Sequence, residues 1–224
     1  MRKTRTKVPL KMRRTTFKKA AAAGLLVLLV LALACGCSKT PPPDLAVVYG
    51  RAVDLIEQSH EVNVLLFGAG LPVIPYGSLE AEWGMVYDGQ ENISYQRVSQ
   101  QSSYQFLADI QEAVERVYAK AYRDSVLSLM LNGYMYPSGD GEKTVVTADY
   151  MEKTTGLFLS TRHGILIPET RLYIYTTMRI VSGDSTHFTV QLDSYLPSSP
   201  EEIVQVKLSF LFEEGDWYLN SPTY

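Results

Sequence analysis

The sequence predicts an α+β fold in which N-terminal helices pack on a C-terminal antiparallel β-meander. Three observations predict it. Over residues 45–67, and again from about 106 to 131, the apolar residues recur at helical spacing. From about residue 144 the period changes to two. Short Gly, Pro, Ser and Asp clusters then divide the alternating stretches. Helices followed by a run of strands is the α+β order. The 224 residues are 46% hydrophobic and 20% charged, an ordinary globular balance.

The first forty residues carry an address. Nine basic residues and no acidic one fall in positions 1–19, and positions 20–34 read AAAAGLLVLLVLALA. A basic segment, a short apolar run and small residues beyond it form the layout of a signal peptide. Fifteen apolar residues make a helix of about 22 Å, short of a hydrocarbon core of about 30 Å. A permanent transmembrane anchor is therefore not expected.

The stretch Leu33-Ala34-Cys35-Gly36 resembles a bacterial lipobox. The resemblance implies a diacylglyceryl thioether on Cys35 and cleavage before it. It departs from the family pattern at Ala32, where the family prefers Leu. Cys37 is the alternative acceptor. The expected organisation is a signal peptide over 1–34, an acylated cysteine and proline-rich spacer over 35–43, and a single α+β extracytoplasmic domain over 44–224. Two acyl chains give stable anchoring, so the expected location is the cell membrane, on its extracytoplasmic face. The three prolines Pro41, Pro42 and Pro43 favour an extended spacer.

Asp44 is placed to cap a helix whose apolar positions are Leu45, Val48, Ala52, Leu55, Ile56, Val62 and Leu66. Gly68, Gly70 and Pro72 stop it, so the helix runs over 45–67, about 34 Å. Val62, Val64 and Leu66 also alternate, so the last turn fits a short strand as well. Residues 68–84 read as irregular. Residues 85–87 and 93–98 flank Asp88-Gly89 and read as a small hairpin.

Ser102 or Ser103 caps the next helix, with a stripe of Phe106 or Leu107, Ile110, Val114 and Val117. A second stripe, Tyr122, Val126, Leu129 and Met130, extends helix to about residue 131, with a break near Lys120. Residues 137–141 form a loop. Strands follow over 144–155 and 157–160. On 171–181 the residues Leu172, Ile174, Thr176, Met178 and Ile180 share one face. Further strands span 186–196 and 202–213. Trp217 and Leu219 lie on the last strand.

This order, with the terminal stretch Gly215-Asp216-Trp217-Tyr218-Leu219, resembles the cystatin-like α+β roll of nuclear transport factor 2-like domains over residues 100–224. Many small extracytoplasmic lipoproteins of Gram-positive bacteria share that look. Such rolls enclose a pocket between helix and sheet, and some are isomerases or dehydratases using a His–Asp pair. For this chain the resemblance implies His187 with Asp193 or Asp184.

Composition excludes some classes of function. Beyond residue 19 the chain has 12 basic residues against all 24 acidic ones, a net charge of −12. Phosphate-driven binding of nucleic acid is not expected of such a body. Both cysteines lie at the N-terminus, so the body has no disulfide and no thiol nucleophile. His60, His163 and His187 lie far apart, and no HxH, HExxH or Cys–His spacing occurs. No metal site and no cofactor are expected, and the histidines read as exposed polar positions. No GxSxG elbow is present. The acidic pairs Glu80 and Glu82, Glu201 and Glu202, and Glu213 and Glu214 fall in predicted loops or turns.

Tyrosine is the unusual component, with 15 residues. Tyr173, Tyr175 and Arg179 are expected on the strand face opposite Leu172, with Tyr195 on the corresponding face of the next strand. An open aromatic face of this kind suits a glycan or a protein strand. The expected function is a non-enzymatic binding module for an envelope protein or a wall glycan, inhibition of a wall hydrolase being the sharper version. The isomerase or dehydratase is the alternative.

Overall fold

The structure, a computed structural model, describes residues 40–79, 81–87, 92–137, 143–146 and 148–224. The basic segment, the apolar run, Cys35 and Cys37 lie outside the described residues. So do Asp88-Gly89 and most of the 137–141 loop. Residues Pro41–Tyr224 form one compact unit.

Helix α1 spans Leu45–Phe67, the length read from its apolar spacing. Asp44 caps it by accepting the Ala46 backbone N–H at 2.9 Å. The last turn is helical rather than extended, because Gly68 and Gly70 donate back to the Asn63 and Val64 carbonyls and complete it. Val48, Ala52, Leu55, Ile56, Val62 and Leu66 are buried. Full burial of an aliphatic side chain contributes roughly 1.5–3 kcal/mol.

After α1 the chain builds a sheet that the sequence showed only as a hairpin. Strands β1 (Trp83–Tyr87) and β2 (Asn92–Arg97) pair antiparallel. Strands β5 (Tyr150–Lys153) and β6 (Gly156–Ser160) complete a four-stranded sheet of order β1-β2-β6-β5. Between them lie β3 (Tyr134–Pro137) and β4 (Lys143–Val146), a separate pair. The strand expected over 144–155 is thus two strands, β4 and β5; ahead of β5 the Asp149 backbone hydrogen-bonds Met130 and Ser160.

Helix α2 (Leu107–Val117) buries Ile110, Ala113, Val114 and Val117. Its cap is not Ser102 or Ser103. Phe106 occupies the cap position, and the Asp109 carboxylate accepts the backbone N–H of Phe106 at 2.9 Å and of Gln105 at 2.8 Å. Ser102 instead accepts from Tyr104 within a turn. The break near Lys120 falls at Tyr118 and Ala119. These residues are extended and bridge in parallel to Leu219, with the Ala119 N–H on the Leu219 carbonyl at 2.7 Å. Helix α3 (Lys120–Leu127) then starts, its first N–H taken by the Glu213 carboxylate at 2.9 Å. A π-helical turn, Ser128–Asn132, ends at Gly133 with φ 62°.

The meander is β7 (Leu172–Gly183), β8 (His187–Leu196), β9 (Ser199–Glu213) and β10 (Asp216–Leu219), each strand paired with the next. Its inner face presents Met178, Phe188, Val190, Leu192, Leu208, Phe210 and Leu219 to α1 and α2 as one core. The Phe188 and Phe210 rings stack at 4.8 Å, and Trp217 meets Phe188 edge-on at 4.6 Å. The fold class is therefore α+β, with helices N-terminal to a β-meander.

Two irregularities alter the expected faces. On β7 the register jumps between Ile174 and Arg179, so four residues stand against Leu192 alone. A bulge of this size reverses the alternation. Tyr173 and Tyr175 therefore pack on the core ahead of the bulge, and Met178 and Ile180 after it. Leu172 is turned outward, 38% exposed. On β9 the register jumps between Ser199 and Val204, and Val204, the last residue in regular register, is exposed.

Candidate functional site

Glu57, His60, Glu61 and Val64 recur at i, i+3, i+4 and i+7, so they share one flank of α1. That flank borders the buried stripe. Tyr173 and Tyr175 of β7 rise against it from the sheet. The Tyr173 ring stacks on His60 at 6.0 Å and 14°, and the Tyr175 hydroxyl donates to Glu57. From the loop before α2, the Tyr104 hydroxyl donates to Glu61 Oε1 at 2.8 Å.

His60, Glu61, Val64 and Tyr104 of this group line a cleft of about 420 Å³, and Glu57, Tyr173 and Tyr175 stand behind His60. Its walls are His60, Glu61, Val64 and Leu65 of α1, then Gly70, Leu71 and Pro72, with Tyr104 and Thr170 opposite. Val64 stands in it 42% exposed, an apolar side chain open to solvent two residues after the buried Val62. The floor is apolar, and the rim carries the Glu61 carboxylate and the Tyr104 phenol.

The electrostatics of the rim follow from burial and pairing. Burial, with the bond to Glu61, pushes the Tyr104 phenol up to about 12. Burial likewise raises Tyr175, and the bond to Glu57 adds to it. Both phenols are therefore neutral donors that hold the two carboxylates as acceptors. His60 lies 3.7 Å from Glu57 Oε2 through Nδ1, but burial outweighs that attraction and lowers its pKa below the ordinary value. Its Nε2 is buried without a hydrogen-bond partner.

The second histidine is not exposed either. The His163 side chain is 4% exposed, in the turn that leaves β6. Nδ1 lies 3.4 Å from Asp149 Oδ2, and Nε2 lies 3.1 Å from the Gly68 carbonyl oxygen. At 3.4 Å the Asp149 contact is long for a neutral hydrogen bond and acts as an ion pair once the ring is protonated. Asp149 raises the His163 pKa, and burial only partly opposes it.

The expected binding set is divided between two faces. Tyr173 and Tyr175 turn inward to α1, where Tyr173 donates to the Thr223 carbonyl at 2.6 Å. This corrects their placement on an open face. Arg179 and Tyr195 lie on the outer face, paired with Gln191 and Leu172. The four residues therefore form no common surface. His187 adjoins Asp184 but not Asp193, and neither pair lines the cleft. Asp184 accepts the His187 backbone N–H at 3.1 Å as part of a turn. Asp193 lies six residues along the same extended strand, roughly 20 Å away.

Two residues of the acidic pairs have structural partners. Glu213 caps α3. Glu82 accepts from the Thr155 hydroxyl at 2.9 Å and lies 3.5 Å from Arg97. Glu80 lies outside the described residues. No group of three His, Cys, Asp or Glu side chains is gathered for a metal among the described residues. No helix among them is long and apolar enough to cross a membrane.

Sequence reasoning missed the cleft. The spacing of Glu57, His60 and Glu61 was visible as one helical face, but Tyr104 and Thr170 join it only through tertiary packing. No protein-family model matches the chain, and no curated protein matches it.

Proposed function

We propose that this chain is a lipid-anchored extracytoplasmic protein whose folded unit is a non-enzymatic binding module for an envelope protein or a wall glycan. The anchor rests on the basic segment, the apolar run and Leu33-Ala34-Cys35-Gly36. The acyl chains on Cys35 hold the protein at the membrane, and Pro41–Pro43 hold the compact unit off the lipid surface.

The cleft beside α1 carries the binding reading. It has an apolar floor at Val64, Leu65 and Leu71, an aromatic side chain at Tyr104, and the Glu61 carboxylate on its rim. Apolar area with a few convergent polar groups is the composition of a ligand site. Aromatic faces and carboxylates together suit sugar rings and hydroxyls, and they equally suit a protein loop. Its nearest histidine, His60, is held neutral and stacked on Tyr173. Inhibition of a wall hydrolase is the sharpest form of this proposal, with the cleft receiving a loop of the enzyme.

The experiment is capture from a native envelope extract with residues 44–224 as bait, beside Val64→Arg. Val64 is exposed and lines the cleft, so arginine fills the cleft without entering the core. A protein or glycan retained by the wild type and lost with Val64→Arg supports the proposal. Capture that ignores the substitution removes the cleft from it. The anchor is tested by the mass of the N-terminal peptide from the membrane fraction. An unmodified, soluble N-terminus overturns it, and the mass separates Cys35 from Cys37.

A further inference from the structure

We propose that His163 is a proton-dependent latch on the wall of the cleft: as an imidazolium it ties the loop after α1 to the β5–β6 hairpin, and loss of the proton releases that wall. The latch is a regulation of the binding cleft and rests on that reading for its purpose, though not for its chemistry.

The geometry favours the charged ring. Nε2 lies at hydrogen-bond distance from the Gly68 carbonyl, which has no proton to give, and Nδ1 is buried 3.4 Å from the Asp149 carboxylate, at ion-pair distance but without a hydrogen bond. A neutral imidazole has one N–H and one lone pair. In either tautomer, one nitrogen therefore points its lone pair at an acceptor. The ring is almost wholly buried, so water cannot relieve that opposition. The imidazolium donates to Gly68 through Nε2 and carries the charge that pairs with Asp149 beside Nδ1.

Three segments meet at this ring. Gly68 closes α1. Asp149 precedes β5 and accepts the Ser160 N–H at 2.8 Å, and His163 itself donates its backbone N–H to the Ser160 carbonyl at 3.0 Å. The surrounding groups are few. From β5 comes Tyr150, its ring 6.1 Å away and its hydroxyl donated to the Leu65 carbonyl at 2.7 Å. From α1 comes only the Gly68 carbonyl, and its last turn carries no basic side chain. Arg162 adjoins in sequence and is exposed. Asp149 is the charged group that faces the ring.

Gly70, Leu71 and Pro72 form one wall of the cleft. The loop they belong to is also tied by the Gly70 N–H to the Val64 carbonyl at 3.0 Å and by the Ser99 N–H to the Pro72 carbonyl at 2.7 Å, and beyond Pro72 by the Val73–Val98 bridge and the Ile74 N–H on the Arg97 carbonyl. At Gly70 a Cβ would meet the His163 ring at 3.0 Å, so ring and wall are in direct contact. Releasing the ring from Gly68 therefore loosens the cleft wall itself.

The direction of the pH effect follows. The folded ring binds its proton more tightly than a free histidine, whose ordinary value is 6.5. The latch is complete below 6.5. It weakens as pH rises from 6.5 to the folded midpoint of the ring, and beyond that it adds nothing. His60, which also lines the cleft, titrates below 6.5, so the two rings are separable.

The test uses residues 41–224, the compact unit with its own core, and no ligand. Imidazole nitrogen NMR reads the protonation of His163. Amide exchange at Gly70, corrected for its intrinsic rate, reads the wall. The expected result is a doubly protonated ring at pH 6.5 and a midpoint above it. Protection at Gly70 should fall about tenfold per pH unit between 6.5 and that midpoint, then level off. In Asp149→Asn the midpoint should drop to 6.5 or below, and the pH dependence at Gly70 should vanish. A wild-type midpoint at or below 6.5 overturns the latch. So does protection at Gly70 that ignores pH while the ring titrates. If Asp149→Asn fails to fold, the wild-type titration still decides. Failure here leaves the capture experiment untouched, and capture that ignores Val64→Arg leaves the latch untouched.

Discussion

The Thr223 hydroxyl lies 2.6 Å from the Ser59 hydroxyl, 164 residues away in sequence and wholly inside the protein. The bond belongs to a chain with one consistent direction. Tyr118 donates to Asn63 Oδ1 at 3.1 Å, Asn63 Nδ2 donates to Thr223 at 2.8 Å, Thr223 donates to Ser59, and Ser59 donates to the Ile56 carbonyl at 2.6 Å. It locks the C-terminus onto α1. Thr223→Val keeps the shape and leaves Asn63 and Ser59 without that partner. A buried unsatisfied polar group costs about 1–3 kcal/mol. Urea unfolding should show a loss in that range, and Ser59→Ala added to Thr223→Val should cost less than the two single losses summed.

Asp109 holds the first turn of α2 by accepting two backbone N–H groups, from Gln105 and Phe106. Asp109→Ala leaves both donors to water and exposes the helix end. Loss of such a cap costs roughly 0.5–2 kcal/mol. The midpoint of chemical unfolding should fall accordingly with an unchanged denaturant slope. Ser102→Ala and Ser103→Ala should stay within about 0.5 kcal/mol of wild type, since neither caps the helix.

Much of this architecture was legible in the sequence, and the part that was not has a physical explanation. Helix α1 was readable end to end, because one periodic face is bounded by Asp44 and by Gly68 and Gly70. The meander was readable because each of its strands buries one face. The first sheet was not, since β2 pairs with β6 across some sixty residues and no local pattern encodes that pairing. The tyrosines of β7 were assigned to the wrong face because a bulge is invisible to a period-two count. In the candidate site, the α1 contribution was encoded at helical spacing. Tyr104, Thr170 and the Asp149–His163 pair reach it through contacts that local sequence does not specify.

His60 gives stability an acid-side dependence. Its folded pKa lies below 6.5 because burial disfavours the charged ring. The folded state thus binds this proton less well than the unfolded chain does. The contribution is complete above 6.5 and is lost as pH falls through 6.5 toward the folded value. His60→Phe retains an aromatic ring against Tyr173 and has no proton to gain. Thermal melts of wild type and variant should therefore diverge below pH 6.5, with the wild type losing stability faster. Parallel curves from pH 7 to pH 5 would remove His60 from the account.

Gly70 sits where two demands meet. Its φ of 71° lies in the left-handed region that residues with a Cβ seldom adopt. A Cβ there would also stand 2.9 Å from Leu159 Cδ2 and 3.0 Å from His163 Cδ2, inside van der Waals contact. Gly70→Ala must either strain the backbone or push the His163 ring away from the Gly68 carbonyl. Strain of this kind costs of order 1–3 kcal/mol. Displacing the ring also lengthens one of the two contacts that favour the imidazolium. The variant should therefore be less stable, and its His163 midpoint should shift downward. A stability loss with an unmoved midpoint would mean that the backbone alone absorbs the substitution and that Leu159, the softer neighbour, gives way.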